Sequence, residues 1–326
     1  MPAQQNTQSA TLDLVCCPLA NSLVSDITGN KEAEAVLRAS DFYMIAGRAQ
    51  STFKDFKFDN ESGRLHFSIE IAGGECDTGY LDIVELADQG RVEDSWELTL
   101  RHGPSRIGFF VIETEGAEPR LIQAFFPDDI LMRRGRKETI VGGFDRYLEL
   151  ATYDLLYVGI AKVGDTYDRL FASAHRARME ILSDEPQRFP GARVSDEIYL
   201  FAFKVEPLLV KVFTQDSEIE PGDMDMSYDP KRLVADAEKA MVSLLKPSYN
   251  RSLYPNYPKG RDGLYKTGLT AYTYSISEGM AFRTAYGTIK GGRQRHFTMS
   301  NDADFIMVRG DEVTFHIAGV DFAAEP

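Results

Sequence analysis

Hydrophobic and polar positions change period several times along this chain of 326 residues. Residues 1–30 are polar with one apolar island and predict a loosely ordered leader. Asn30 then caps a short helix through Glu32, Ala35, Val36 and Leu37. From Ser51 the period becomes two. Phe56 and Phe58 lead into Asp59-Asn60-Glu61-Ser62-Gly63, after which Leu65, Phe67, Ile69 and Ile71 alternate with Arg64, His66, Ser68 and Glu70, a hairpin with one buried face. Trp96, Leu98 and Leu100, the turn His102-Gly103-Pro104-Ser105 and the run Ile107–Ile112 predict a second hairpin. Residues 40–140 therefore read as mainly antiparallel sheet, with Arg133-Arg134-Gly135-Arg136-Lys137 as a solvated basic turn near its end.

Between about Gly142 and Asn250 strand and helix alternate. Leu155–Ile160 is a short buried strand, Asp168 through Leu182 reads as one helix, and Glu197–Val212 is β-rich. Asp229-Pro230 opens the clearest helix, with Asp at the N-cap, Pro at the first helical position and a stop before Pro247. Leu233, Ala237, Ala240, Met241 and Leu244 form its apolar stripe, and Glu238 falls at the edge of that stripe. Thr270–Ser277, Met280–Thr288, Phe305–Val308 and Val313–Ile317 predict further strands. The fold class expected is α+β, divided into a β-rich segment 1–140, a small mixed domain 141–257 and a β-rich basic extension 258–326.

An apolar share of 43% with 26% charged residues excludes wholesale disorder. No apolar run is long enough for a membrane span, and the N-terminus lacks the basic n-region of a signal peptide. Three cysteines, two of them the adjacent Cys16 and Cys17, make neither a disulfide framework nor a zinc site. Reduced thiols and a cytoplasmic location are expected, with no membrane partner. The net charge of −14 hides a segregation: between Leu245 and Ser300 nine Lys/Arg face only Asp262 and Glu278. Tyrosines interleave with these cations, the pattern of a surface that stacks bases and holds phosphates. Arg251, Lys290, Arg293 and Arg295 are the candidate contacts there. Asp223–Asp229 mimics a calcium loop but has Tyr228 at its sixth position and lacks the closing Glu, so it reads as an acidic loop.

Two stretches carry candidate chemistry. Tyr157-Val158-Gly159 is followed by Arg169 and His175; some 80 residues after that strand, Glu238 is followed by Pro247-Ser248-Tyr249-Asn250. In this order the segment 145–255 resembles the GIY-YIG nuclease domain, a short antiparallel sheet with helices, here flanked by antiparallel β-rich regions. That family has a Tyr-[Ile/Val]-Gly strand, a helix with Arg and His, a helix with Glu and a Pro-x-x-Asn ending. The resemblance implies a metal-dependent endonuclease, of a kind compatible with defence against foreign DNA. Tyr157 would help activate water, Arg169 steady the phosphate and Glu238 hold one Mg²⁺ or Mn²⁺. His175 would carry a proton or contact phosphate with Arg178 beside it, and Asn250 would buttress the site.

The residue types suit phosphodiester hydrolysis on their own account. A bidentate Arg is a strong phosphate partner, Mg²⁺ often takes only one or two carboxylates and keeps its waters, and a tyrosine near its ordinary pKa must be acidified before it acts as a base. The family's first motif, a Gly-Ile-Tyr strand, has no clean match here; Tyr147 and Tyr153 are the nearby candidates. Two further readings stay open. One is a degraded nuclease that only binds nucleic acid or a protein. The other is a β-rich intracellular protein that binds a partner. The partner expected is nucleic acid, DNA ahead of RNA, with a homo-oligomer or a regulatory protein also open.

Overall fold

A computed structural model describes residues 5–90, 92–93, 95–161, 165–172, 175–212, 228–296 and 298–322. The acidic stretch 223–227 of the calcium-loop mimic lies outside them. The fold is mixed α+β, built on one ten-stranded sheet and two smaller antiparallel sheets of four and three strands. At the heart of the large sheet lies Phe42–Gly47, six apolar or small residues that are all buried. An unbroken apolar run suits a strand covered on both faces. It pairs antiparallel with Ile198–Val212 on one side and with Thr152–Ile160 on the other.

The two faces of that strand serve different cores. Phe42, Met44 and Ala46 join the main core with Tyr153, Phe201, Phe203 and the helix Pro230–Leu245. Tyr43 and Ile45 point the other way, into a smaller cluster with Leu156, Leu170, Phe171 and Ile181. This second face carries the candidate site. The clearest helix of the sequence forms as its caps predict: the Asp229 side chain accepts from the Lys231 and Arg232 amides, and Pro230 opens the first turn. The Asn30 cap and both early hairpins also form as expected.

Four expectations are corrected. The leader is no leader: Gln5–Leu14 is an interior strand, antiparallel to Ile198–Val212 and parallel to Ala271–Ile276. Its buried Gln8 and Thr11 mask the period-two signal of Ala10, Leu12 and Leu14. The helix read over Asp168–Leu182 divides into a π-helical turn Tyr167–Ala172 and a helix Arg176–Asp184, because His175 is extended and caps the second piece. Met280–Thr288 is not one strand but the start of a hairpin, Ala281–Thr284 against Gly287–Lys290. The basic turn 133–137 lies mostly in the helix Pro127–Gly135 and just past it, and its arginines are tied down: Arg133 to Asp129 and Glu138, Arg136 to Glu278.

The large sheet draws strands from all three expected segments, before residue 140, between 141 and 257, and after 258. Residues 48–150, with both smaller sheets, leave between Phe42–Gly47 and Thr152–Ile160, two strands that are neighbours in the sheet. At this junction Arg48 is buried. Its guanidinium donates to Asp128 Oδ1 at 2.7 Å, to Tyr153 Oη at 3.0 Å and to Ser51 Oγ at 3.0 Å, clamping the helix Pro127–Gly135 to the large sheet.

Candidate functional site

A cleft of about 700 Å³ opens at the end of the strand Thr152–Ile160, lined among others by Tyr157, Arg169, His175, Glu238, Asn250 and Tyr254. The four residues expected to carry chemistry, Tyr157, Arg169, His175 and Glu238, are thus brought together from four separate elements. What aims Tyr157 is a register shift. Between Leu155 and Tyr157 the pairing with Phe42–Gly47 slips by one residue, so Tyr157 stands opposite Ile45 and Gly159 opposite Tyr43. Bulges of this kind re-aim side chains beside sites. Here the shift sets Tyr157 and Tyr43 on one face, with ring centroids 6.0 Å apart and planes within 24°.

Tyr43 is the residue that sequence reasoning missed. Its hydroxyl oxygen accepts from Arg169 Nε at 2.8 Å and lies 2.9 Å from His175 Nε2. The imidazole's other nitrogen, Nδ1, accepts from the Arg178 amide at 3.2 Å as the cap of the helix Arg176–Asp184. A neutral ring with an acceptor Nδ1 carries its proton on Nε2, so His175 donates to Tyr43. Tyr157 lines the cleft beside them and interacts with both Tyr43 and Arg169.

The electrostatics keep this group in one protonation state. Burial drives the His175 pKa down to about 4, and the Arg169 and Arg178 charges push the same way. Burial likewise holds the Tyr43 phenol well above its ordinary range, against the pull of Arg169. At neutral pH the constellation is a neutral imidazole, a neutral phenol and a guanidinium.

Asn250 completes the wall by acting as a strand. The neighbour Ala281–Thr284 pairs with Thr152–Ile160 only as far as Asp154, which leaves the edge near Val158 without a ladder partner there. The Asn250 amide fills that edge, accepting from Val158 N at 2.9 Å and donating to Val158 O at 2.8 Å, while Tyr249 N donates to Leu156 O. Glu238 reaches the cleft from the helix Pro230–Leu245 and is nearly buried, with Oε2 3.5 Å from the Tyr254 hydroxyl. Burial and the Glu238 charge raise Tyr254 to about 12. Among the described residues no group of three or more His, Cys, Asp or Glu is placed to hold a metal ion.

The other expected contacts are scattered. Arg178 is turned inward, donating to Asn21 Oδ1 and Leu170 O. Arg251 lines the cleft and pairs with Glu180. Arg293 pairs with Asp13 next to the fully buried Glu278, whose carboxyl burial pushes up to about 7. Lys290, Arg293 and the exposed Arg295 lie outside the cleft. Of the two tyrosines proposed upstream, Tyr153 is in the main core, donating to Asp128 Oδ1 at 2.6 Å, and Tyr147 lies under the Arg134 guanidinium. A signal for Tyr43 did exist, a single tyrosine in an otherwise apolar strand. It stands 114 positions before Tyr157, too far for a local motif to link them.

No family model, curated protein or solved structure matches the chain. No helix among the described residues is long and apolar enough to cross a membrane.

Proposed function

We propose that the cleft binds the phosphodiester backbone of a nucleic acid, as a GIY-YIG-like module interrupted by residues 48–150. One observation carries this reading: Tyr43 meets Tyr157 and Arg169 across paired strands. Phe42-Tyr43 then stands where the family's Ile-Tyr strand would, and Tyr157-Val158-Gly159, Arg169, His175, Glu238 and Asn250 follow in the family's order.

Within this reading Arg169, steadied through Nε by Tyr43, turns its remaining N–H groups to a phosphate. The Tyr157 hydroxyl donates a second hydrogen bond. His175, with both ring nitrogens engaged, is a positioning residue that orients Tyr43. Asn250 holds the strand beneath Tyr157 in place. Binding needs only these groups.

Hydrolysis is the second reading, and Glu238 favours it. A single nearly buried carboxylate at a cleft wall suits a divalent ion that keeps most of its waters, such as Mg²⁺ or Mn²⁺. When bound, such an ion would neutralise the nonbridging oxygens and acidify a water.

The test is fluorescence anisotropy with a labelled 20-base-pair DNA duplex, followed by incubation of the complex with Mn²⁺. Salt-sensitive binding that weakens about tenfold in Arg169→Ala is the expected result. Binding indifferent to Arg169→Ala and Tyr157→Phe would overturn the assignment of the cleft. Strand cleavage that disappears in EDTA and in Glu238→Gln would establish the nuclease, whereas intact DNA in a tight complex would mark a binding module.

A further inference from the structure

Beside the cleft, along the same helix, lies a second concavity of about 600 Å³ lined by Arg232, Asn256, Lys259, Arg261, Tyr265 and Lys266, with Gly260 between them. Four of these side chains are cationic in a chain of net charge −14. The nearby carboxylate of Asp311 offsets one of them, pairing with Lys259 Nζ at 3.0 Å and accepting from the Tyr265 hydroxyl. Lys259, Arg261 and Lys266 are exposed, and Lys266 Nζ lies 5.3 Å from the Tyr265 ring centroid.

The segment bearing these cations is held in place. Asp236, fully buried on the helix Pro230–Leu245, accepts from the Leu264 amide at 2.6 Å and from the Tyr257 and Tyr274 hydroxyls at 2.7 and 2.9 Å. Arg232 Nε donates to Gly263 O at 2.9 Å. The backbone of the segment is thus anchored to the helix, and its exposed cations project from it beside Arg232.

It also lies along the same helix that carries Glu238 into the cleft. Arg232 and Lys239, seven residues apart, share one face of the helix. Lys239 pairs with Asp262 and lies 6.0 Å from the Tyr254 ring centroid, and Tyr254 touches Glu238 in the cleft. At 1.5 Å per residue, Arg232 and Lys239 are about 10 Å apart along the axis. A nucleic-acid strand advances about 3.4 Å per phosphate, so about three nucleotides cover this distance.

We propose that this concavity is a second phosphate-binding site, which guides the nucleic-acid backbone along Pro230–Leu245 into the cleft. The proposal rests on the reading of the cleft as a phosphodiester site and adds the path by which the polyanion reaches it. Through this channel an acidic protein engages a polyanion without a basic surface overall.

The experiment compares wild type, Arg169→Ala and the triple variant Lys259→Glu, Arg261→Glu, Lys266→Glu. Each is titrated with the 20-base-pair duplex from 50 to 200 mM salt. The glutamine version of the triple variant guards against misfolding from charge reversal, with circular dichroism as the fold control. The triple variant is expected to bind at least tenfold more weakly at 100 mM salt and to lose about 3 from the slope of log K against log salt. Arg169→Ala is expected to lose about 1 from that slope. Wild-type affinity and slope in both triple variants would overturn the channel while leaving the cleft reading intact. Loss in the triple variants with no effect of Arg169→Ala would uphold the concavity as a phosphate site, remove the cleft reading and overturn the path into the cleft. A wild-type protein that does not bind the duplex would remove both.

Discussion

The ring of Tyr43 crosses Gly159 so closely that a Cβ on Gly159 would stand 2.6 Å from the Tyr43 hydroxyl oxygen and 2.7 Å from Tyr157 Cε1. The two residues are directly opposed in the sheet. Gly159 is thus the gap through which two tyrosines on paired strands approach each other, and this gives the Tyr-Val-Gly sequence a steric meaning.

Gly159→Ala is therefore expected to force both rings aside and destabilise the fold by about 1–3 kcal/mol, as overpacking of a filled core does. Urea denaturation measures the loss, and near-ultraviolet circular dichroism reports the displaced tyrosines. Combined with Tyr43→Leu, the substitution should cost less than the sum of the two single changes, because the clash has gone. An alanine variant as stable as wild type, with an unchanged tyrosine spectrum, would refute the close crossing.

His175 makes stability fall on the acid side. Its folded-state pKa, about 4, lies below the ordinary 6.5. The unfolded chain therefore takes up the proton first, and stability drops as pH falls from about 6.5 through 4. The full effect is on the order of 3 kcal/mol as an upper bound. His175→Asn keeps a helix-capping acceptor and does not titrate. Urea midpoints between pH 7.5 and 4.5 should fall more steeply for wild type than for this variant; parallel profiles would remove the histidine from the account.

Asn250 holds the edge of the strand Thr152–Ile160 through two hydrogen bonds to Val158. Asn250→Ala leaves both backbone groups without that partner and is expected to cost about 1–3 kcal/mol. Asn250→Asp should cost at least as much, since a carboxylate cannot donate to the Val158 carbonyl. Hydrogen exchange at the Val158 amide provides the local readout, and unchanged protection in the alanine variant would contradict this role.

At the junction of residues 48–150 with the large sheet, Arg48→Met would strand the Asp128 carboxylate in the interior. Breaking a buried pair from one side costs about 3–5 kcal/mol. Arg48→Met with Asp128→Leu should recover part of it. Thermal denaturation of the two variants beside wild type decides the matter: an Arg48→Met variant within about 1 kcal/mol of wild type would mean that the pair does not clamp residues 48–150 to the sheet.

What the sequence determined by itself is local. Asn30 and Asp229 name their helices because a side-chain oxygen caps amides two and three residues away. The hairpin over 51–71 is legible because alternation and a turn rich in Asp, Asn and Gly lie within one short window. Even Tyr157, Arg169, His175 and Glu238 could be proposed together, since their order along the chain suggests a site. Tertiary structure decided the rest, by bringing distant residues together. Gln5–Leu14 is a strand because two neighbours pair with it, 189 or more residues away. Tyr43 joins Tyr157 because the inserted region leaves and returns between adjacent strands, a relationship that no local period encodes. The cations after Leu245, one run in sequence, separate in space. Arg293 is spent on Asp13 beside Glu278, while Lys259, Arg261 and Lys266 converge with Arg232, because the buried Asp236 draws their segment onto the helix.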